Sequence, residues 1–338
     1  MYRFSAFVGF DGFIDKVFHV VDQRYGTGKQ FKKICTIANF AKRVASASGL
    51  STNIELYPIE ERIGGNGPIL AETLAHYGVQ TDLWGTIEHP LFQNLSPDIQ
   101  TLSLGRPGIT NALEFDDGKL LMGVTQPLDQ IVPEIIKPFL DQQSPEFWKQ
   151  DLFCFVNWTM IVYMNAILKR LFLPNLSQSL CFFDLADPQK RPQTDLLEFF
   201  EILNHFPQHY ITLGLNLKEA QQVLHCAYLW KNRTQNHSIT DVLSLCQNIQ
   251  QLLPVKEVFI HDTHCCAACT NDESAYCDDS QFFVERPKTT TGAGDHFNAG
   301  YLLARLKNYP LHQSLRQGYA IASHFVRTGE LISISELQ

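Results

Sequence analysis

KTTTGAGDHFNAGYLLARL, Lys288 to Leu306, sets three threonines, two closely spaced glycines and an aspartate in front of an apolar helical pattern. Gly292 and Gly294 let backbone N–H groups turn toward one point, and the helix that follows adds its positive end there. Such a loop suits a phosphate or a developing negative charge. It matches neither common nucleotide fingerprint: no Lys follows it as G-x-x-x-x-G-K-[ST] requires, and position 297 is Phe where G-x-G-x-x-G needs Gly. Asp295 stands in the first helical turn, where it repels a bound phosphate. Either it balances the helix dipole, or it faces a third group, a hydroxyl that attacks phosphorus.

The rest of the chain narrows the choice. Its 338 residues exceed the usual ~100–200 per domain, but α/β folds of this size form one unit. Hydrophobic residues make up 45% and charged residues 18%, so a large core is expected and disorder is not. A net charge of −8 argues against nucleic acid or an anionic membrane as the main partner. No secretory signal is visible. The apolar stretch LFCFVNWTMIVYMNAILKRLFL is broken by Asn157, Asn165, Lys169 and Arg170, which suits a buried strand and a helix better than a membrane span. Nine scattered cysteines fit reduced thiols and a cytoplasmic location.

Strands and helices alternate. SAFVGF, TDLWGTI, LCFFDLAD, YITLGLN and EVFIHD read as buried strands. PILAETLAHYGV, starting near Pro68 and stopping at Gly78, reads as a helix, as do LLEFFEIL and LKEAQQVLHCAYLW. Asp117-Gly118 between two extended runs signals a hairpin. The pattern predicts an α/β sandwich with a mainly parallel sheet, in which ligands gather beyond the carboxyl ends of strands. The glycine loop and the other polar clusters fall there.

TTTGAGDHFNAG resembles the second signature of the ribokinase-like (PfkB) carbohydrate kinase family, D-T-T-G-A-G-D-x-F-x-A-G, with Thr289 where that family usually has Asp. The resemblance extends over nearly the whole chain. RIGGNGPILAETLAHYGVQTDLWGTIEHPLF is similar to the first signature region, which places Gly64, Gly65 and Asn66 at its sugar-contacting G-G-N. LNLKEA matches N-x-x-E through Asn216 and Glu219, a motif that organises Mg²⁺ and nucleotide phosphates largely through water. FDLADPQKR is similar to the strand and loop near the phosphates, with Asp184 and Asp187 as candidates.

The resemblance implies one ribokinase-like domain over residues 1–338, a three-layer sandwich with a small β lid built near 12–30 and 107–126. It implies an ATP- and Mg²⁺-dependent kinase of a small sugar, with a nucleoside kinase or a non-catalytic sugar- or nucleotide-binding regulator as alternatives. Asp295 is then the catalytic base. The N–H groups of Gly292, Ala293 and Gly294 form the anion hole. Asp11, Asp15, Gly64, Gly65, Asn66 and the hairpin residue Asn111 hold the acceptor, and either of the two acids in GFDGFIDKV can be the sugar contact. Asn216, Glu219 and Asp184 organise nucleotide and metal, with Mg²⁺ reached through Glu219 and water. A monovalent cation is an optional further cofactor, and a homodimer through the lid is open.

Several of these residues have simpler readings. Asn216 and Glu219 suit a helix cap with a first-turn acid. Gly64-Gly65-Asn66 suits a turn. HDTHCCAAC lacks the T-x-G-x-x-G that usually lines the family's nucleotide site, and with Cys277 it offers a zinc reading in competition. His296 follows Asp295 directly but points elsewhere on a helix.

Overall fold

The apolar runs assemble into one large sheet in the computed structural model, which describes residues 4–176, 179–206, 210–233, 239, 241–333 and 336. The first half of the chain supplies β1 (Phe4–Phe10), β2 (Phe13–Arg24), β3 (Phe31–Lys33), α1 (Ile37–Ala45), β4 (Leu56–Gly64), α2 (Asn66–His76), β5 (Val79–Gly85), β6 (Ile99–Ser103), β7 (Gly108–Phe115), β8 (Gly118–Val124) and α3 (Pro133–Leu140). The second half supplies β9 (Leu152–Phe155), α4 (Met164–Ile167), β10 (Leu180–Asp184), α5 (Gln193–Leu203), β11 (Tyr210–Asn216), α6 (Leu217–Trp230), α7 (Val242–Leu252), β12 (Glu257–His261), β13 (Cys266–Cys269), β14 (Ser274–Cys277), α8 (Ala293–Leu306) and α9 (Leu311–Thr328).

Nine strands lie in the order β14-β13-β12-β11-β10-β9-β1-β5-β6. All neighbours are parallel except β12–β13 and β13–β14. Strand alternation divides the core. Phe7, Phe153, Phe155 and Phe183 pack with α5, α6 and α7 on one face, while Ala6, Val8, Leu152, Cys154 and Phe182 pack with α2, α8 and α9 on the other. Both faces are covered, so the central strands read as unbroken apolar runs. The result is the expected three-layer α/β sandwich.

A second sheet of five strands runs β3-β2-β7-β8, with β4 also on β2. Segments 12–30 and 107–126 contribute to it, together with Leu56–Gly64. The last strand carries little apolar periodicity: LYPIEERIG is mostly exposed and carries Glu60, Glu61 and Arg62, so its pattern marks no core face. Helix α1 covers the distal part of one face, where Phe18, Val20, Leu113, Phe115 and Leu120 meet Ile37 and Phe40.

Two local readings shift. Phe115 pairs with Gly118, so the hairpin turn is Asp116-Asp117 and Gly118 opens the next strand. Asp117 is recruited by α1, whose Ile37 N–H donates to its Oδ1 at 2.9 Å. Helix α2 starts at Asn66, ahead of Pro68, because a distant carboxylate receives its first N–H groups. Among the described residues no helix is long and apolar enough to cross a membrane.

Candidate active site

Strand β1 ends in Phe10 and delivers Asp11, fully buried, to the carboxyl edge of the sheet. Asp11 Oδ2 accepts from the Asn66 N–H at 2.9 Å and from Asn157 Nδ2 at 2.8 Å, and Oδ1 accepts from the Gly67 N–H at 2.7 Å. The carboxylate thus caps α2 from 55 residues away. Backbone and carboxylates fill the space beside the neighbouring glycines. A Cβ on Gly65, whose φ is +95°, would lie 3.0 Å from Asp11 Oδ2, and one on Gly64 would lie 2.4 Å from Asp15 Oδ1. Gly64 and Gly65 therefore make room for the two acids.

Asn66 carries the chain of contacts onward. Its Nδ2 donates to Asp295 Oδ1 at 2.9 Å across 229 residues of sequence. Gly292, the cap of α8, takes a left-handed φ of +87°, which turns the loop so that the helix starts at Ala293 with Asp295 in its first turn. First-turn N–H groups have no partner inside a helix. Ala293 spends its own on Thr290 O at 3.3 Å. His296 faces α2 instead: Thr73 Oγ1 donates to Ile69 O, so His296 Nδ1 donates to that hydroxyl at 2.7 Å. Burial pushes its pKa down to about 3, so it is a neutral packing residue.

Asn216 and Glu219 form a full capping box on α6. Asn216 Oδ1 accepts from the Glu219 N–H at 2.9 Å, and the Glu219 carboxylate accepts from the Asn216 N–H at 3.0 Å and its Nδ2 at 2.6 Å. Asp184, at the end of β10, accepts from the Ala186 N–H at 2.8 Å and from Asn298 Nδ2 at 2.9 Å. Asp187 sits further out, with Lys218 at 3.5 Å and Lys190 at 3.8 Å.

Asp11, Asp184, Glu219 and Asp295 form one buried acidic cluster. Burial raises the pKa of each. Repulsion adds to it: Asp184 and Asp11 push Asp295 well above the usual range, while Asp184 itself is raised to about 6. Two buried acceptors at the cluster lack partners, Asn157 Oδ1 and Asn298 Oδ1. Each amide spends its NH₂ on a cluster carboxylate, leaving its carbonyl oxygen for a donor such as a hydroxyl or a metal-bound water. The sequence reading passed over both. Asn298 was findable, because it lies one helical turn after Asp295; Asn157 sits beyond β9 with a positive φ of 55°, and no local pattern marks it.

The residues fit a hard cation that keeps most of its own water, as Mg²⁺ does. Excess negative charge and the unpartnered Asn298 oxygen suit hydrated metal. Among the described residues no three His, Cys, Asp or Glu side chains converge into a direct metal cage. The zinc reading fails on the same ground: Cys266 and Cys269 are buried free thiols of β13.

In the small sheet, Asp15 lies beside Thr110 and Arg62 in register. Asn111, the next residue, projects from the opposite face, and its Nδ2 reaches Met122 O at 3.5 Å. The fold does not bring Asn111 to the acidic cluster. From the neighbouring strand β8, Lys119 Nζ donates to Thr291 Oγ1 at 2.6 Å, at the edge of the glycine loop.

Beyond the loop a cleft of about 330 Å³ opens, lined among others by Asn216, His261, Phe282, Gly294, Tyr319 and Val326. His261 lies against Gly294, where a Cβ would come within 3.2 Å of its Cε1. Burial lowers its pKa to about 4, so it is a neutral wall. In the HDTHCCAAC segment, the Asp262 N–H bonds Cys265 O at 2.9 Å, a tight turn formed without glycines.

Comparison with known proteins shows the family. A curated ketohexokinase from Haloferax volcanii is 27% identical, over 98% of this chain and 88% of its own length. The solved ribokinase of Thermotoga maritima superposes with a TM-score of 0.63 at 16% identity, covering 100% of this chain and 98% of that one. A nucleoside kinase of Methanocaldococcus jannaschii does so with a TM-score of 0.63 at 14% identity, covering 99% and 97%. Both structures share the fold. The family model for prokaryotic ketohexokinase matches residues 4–338, so the chain belongs to that family and is a carbohydrate kinase of the ribokinase-like type.

Proposed function

We propose that this chain transfers the terminal phosphoryl group of ATP to a primary hydroxyl of a ketohexose, with Asp295 as the general base. The observation that carries the reading is the contact chain Asn157–Asp11–Asn66–Asp295, which joins the G-G-N segment to the glycine loop. One oxygen of Asp295 is held by Asn66, leaving the other to take a hydroxyl proton. Its raised pKa makes it a stronger base than an exposed aspartate.

The acceptor lies between Asp11, Asp15, Gly64, Gly65 and Asn66, with Asn157 Oδ1 as a further acceptor for a sugar hydroxyl. Asn111 has no part in this arrangement. Backbone N–H groups at Gly292 and Gly294, together with the positive end of α8, stabilise negative charge on the phosphoryl group, while the Ala293 N–H is held by Thr290 O. ATP lies along the cleft that passes Asn216 and His261. Glu219, Asp184 and Asn298 would hold Mg²⁺ through its water, and the metal would supply charge neutralisation on the phosphates. The small sheet, carrying Asp15 and Lys119, is the lid.

Release of ADP is the direct test. The purified protein is incubated with ATP, Mg²⁺ and, in turn, ketohexoses, aldohexoses, pentoses, sugar phosphates and nucleosides. The strongest turnover is expected with a ketohexose. EDTA abolishes it and added Mg²⁺ restores it. A preference for nucleosides, or ATP binding without phosphorylation of any acceptor, contradicts the proposal.

The acidic cluster also predicts opposite pH slopes for activity and stability. The base works ionised, so kcat/KM for the sugar rises with pH through the cluster's raised pKa values. Asp184 shifts from 3.8 to about 6, so the native state holds more protons than the unfolded chain in that window. Its stabilising contribution is complete below 3.8 and lost as pH rises through about 6. Melting temperature in the absence of ligand is therefore expected to fall across this range while activity climbs. Parallel slopes contradict the assignment.

A further inference from the structure

The established kinase features leave Lys119 unexplained. It follows the hairpin turn on β8, yet its ammonium is drawn to the main domain, where Nζ donates to Thr291 Oγ1 at 2.6 Å. Thr291 directly precedes Gly292, the cap of the loop that receives the phosphoryl group. A lysine here is half-buried, and burial lowers its pKa more than any neighbour does. Among the described residues no carboxylate forms an ion pair with it. Glu114, its cross-strand partner, and Asp15 act only at longer range, and Arg62 opposes them.

The neighbouring cations are engaged elsewhere. Lys288 donates to Thr328 O at 2.6 Å, at the carboxyl end of α9. Lys190 and Lys218 face Asp187, and Arg62 lies 3.9 Å from Glu60. The loop itself carries no basic side chain between Thr289 and Asp295. Among the described residues Lys119 is a cation bonded directly to the loop with donors to spare, since an ammonium has three N–H bonds and one goes to Thr291. By accepting that bond, the Thr291 hydroxyl keeps its own hydrogen for an incoming phosphate oxygen.

We propose that Lys119 is a catalytic residue delivered by the small sheet: its ammonium, docked on Thr291, contacts the phosphoryl group in flight and stabilises its charge. The assignment rests on the kinase reading above. Lys119 belongs to the sheet that carries Asp15, so one sheet presents both an acid to the acceptor and this charge to the loop.

The test uses the full chain with its best sugar, comparing Lys119→Met, Lys119→Ala, Lys119→Arg, Asp295→Asn and the parent. Loss of one charge-stabilising donor typically lowers kcat by ~10²–10³. Lys119→Met should show a fall of about a hundredfold in kcat, with KM for ATP changed by about threefold or less and melting unaltered. Lys119→Arg should recover a large part. A primary alkylamine added to Lys119→Ala should restore turnover in proportion to its protonated form. If Lys119→Met keeps kcat within about twofold of the parent while Asp295→Asn is inactive, the Lys119 assignment is wrong and the kinase reading stands. If kcat falls only in proportion to unfolded protein, or neither Arg nor amine rescues it, the residue is structural and the proposal is overturned. A parent without turnover on any sugar overturns the kinase reading itself.

Discussion

Asp295→Asn is expected to lower kcat by ~10²–10⁴, the usual effect of removing a general base, while its melting temperature at neutral pH holds or rises. Asn preserves the size of the side chain, and its oxygen can still accept from Asn66 Nδ2, so the start of α8 is kept. What it lacks is the ability to take the hydroxyl proton. Stability should not suffer, because Asp295 is a buried carboxylate repelled by Asp184, Asp11 and Glu219. A neutral amide removes that repulsion and the cost of desolvating a charge. Affinity for ATP should hold or increase for the same reason. The measurements are a steady-state ADP-release assay, a thermal melt and an ATP titration on the same preparation. An Asp295 with only a structural role predicts the reverse pattern, a lower melt with activity tracking the folded fraction. Near-parental turnover in a well-folded variant removes the base assignment.

Asp11→Ala is expected to be the most destabilising change in the site. It leaves the Asn66 and Gly67 N–H groups and Asn157 Nδ2 without their acceptor in a buried setting. Each stranded donor costs ~1–3 kcal/mol, partly offset because a buried charge is also removed, for a net loss of about 3 kcal/mol. Denaturant titration should show the midpoint falling with an unchanged slope. Asp11→Asn should fall between, since its single carbonyl oxygen replaces two carboxylate oxygens. KM for the sugar should rise in both variants, because α2 begins at Asn66 and a loosened start misplaces its amide against Asp295. An unchanged midpoint in Asp11→Ala would show that α2 is held by something other than this carboxylate.

These two acids mark how far the sequence could be read. The order of strands and helices was legible because each apolar run carries its own periodicity. The loop before α8 was legible because glycine conformation, helix polarity and Asp295 lie within a few adjacent residues. Asn216 and Glu219 were likewise visible as neighbours three apart, and the fold shows them bonded to one another as a capping box.

The remainder was decided by tertiary structure. That Asp11 caps α2, that Asn66 joins Asp11 to Asp295, and that Asn157 and Asn298 bond cluster carboxylates while their own oxygens stay unpaired depend on elements brought together from across the chain. No local pattern encodes those meetings. Asn111 shows the limit most sharply. It is adjacent to Thr110, but a strand turns successive side chains to opposite faces, so a one-residue difference sends it away from Asp15. Lys119 moved the other way, from an unremarked hairpin residue to a cation 2.6 Å from the glycine loop. Sequence determined the chemistry available at the carboxyl edge of the sheet, because that chemistry is written in contiguous motifs. Register and packing determined which charges face one another there, because those contacts arise only when distant segments close on a common core.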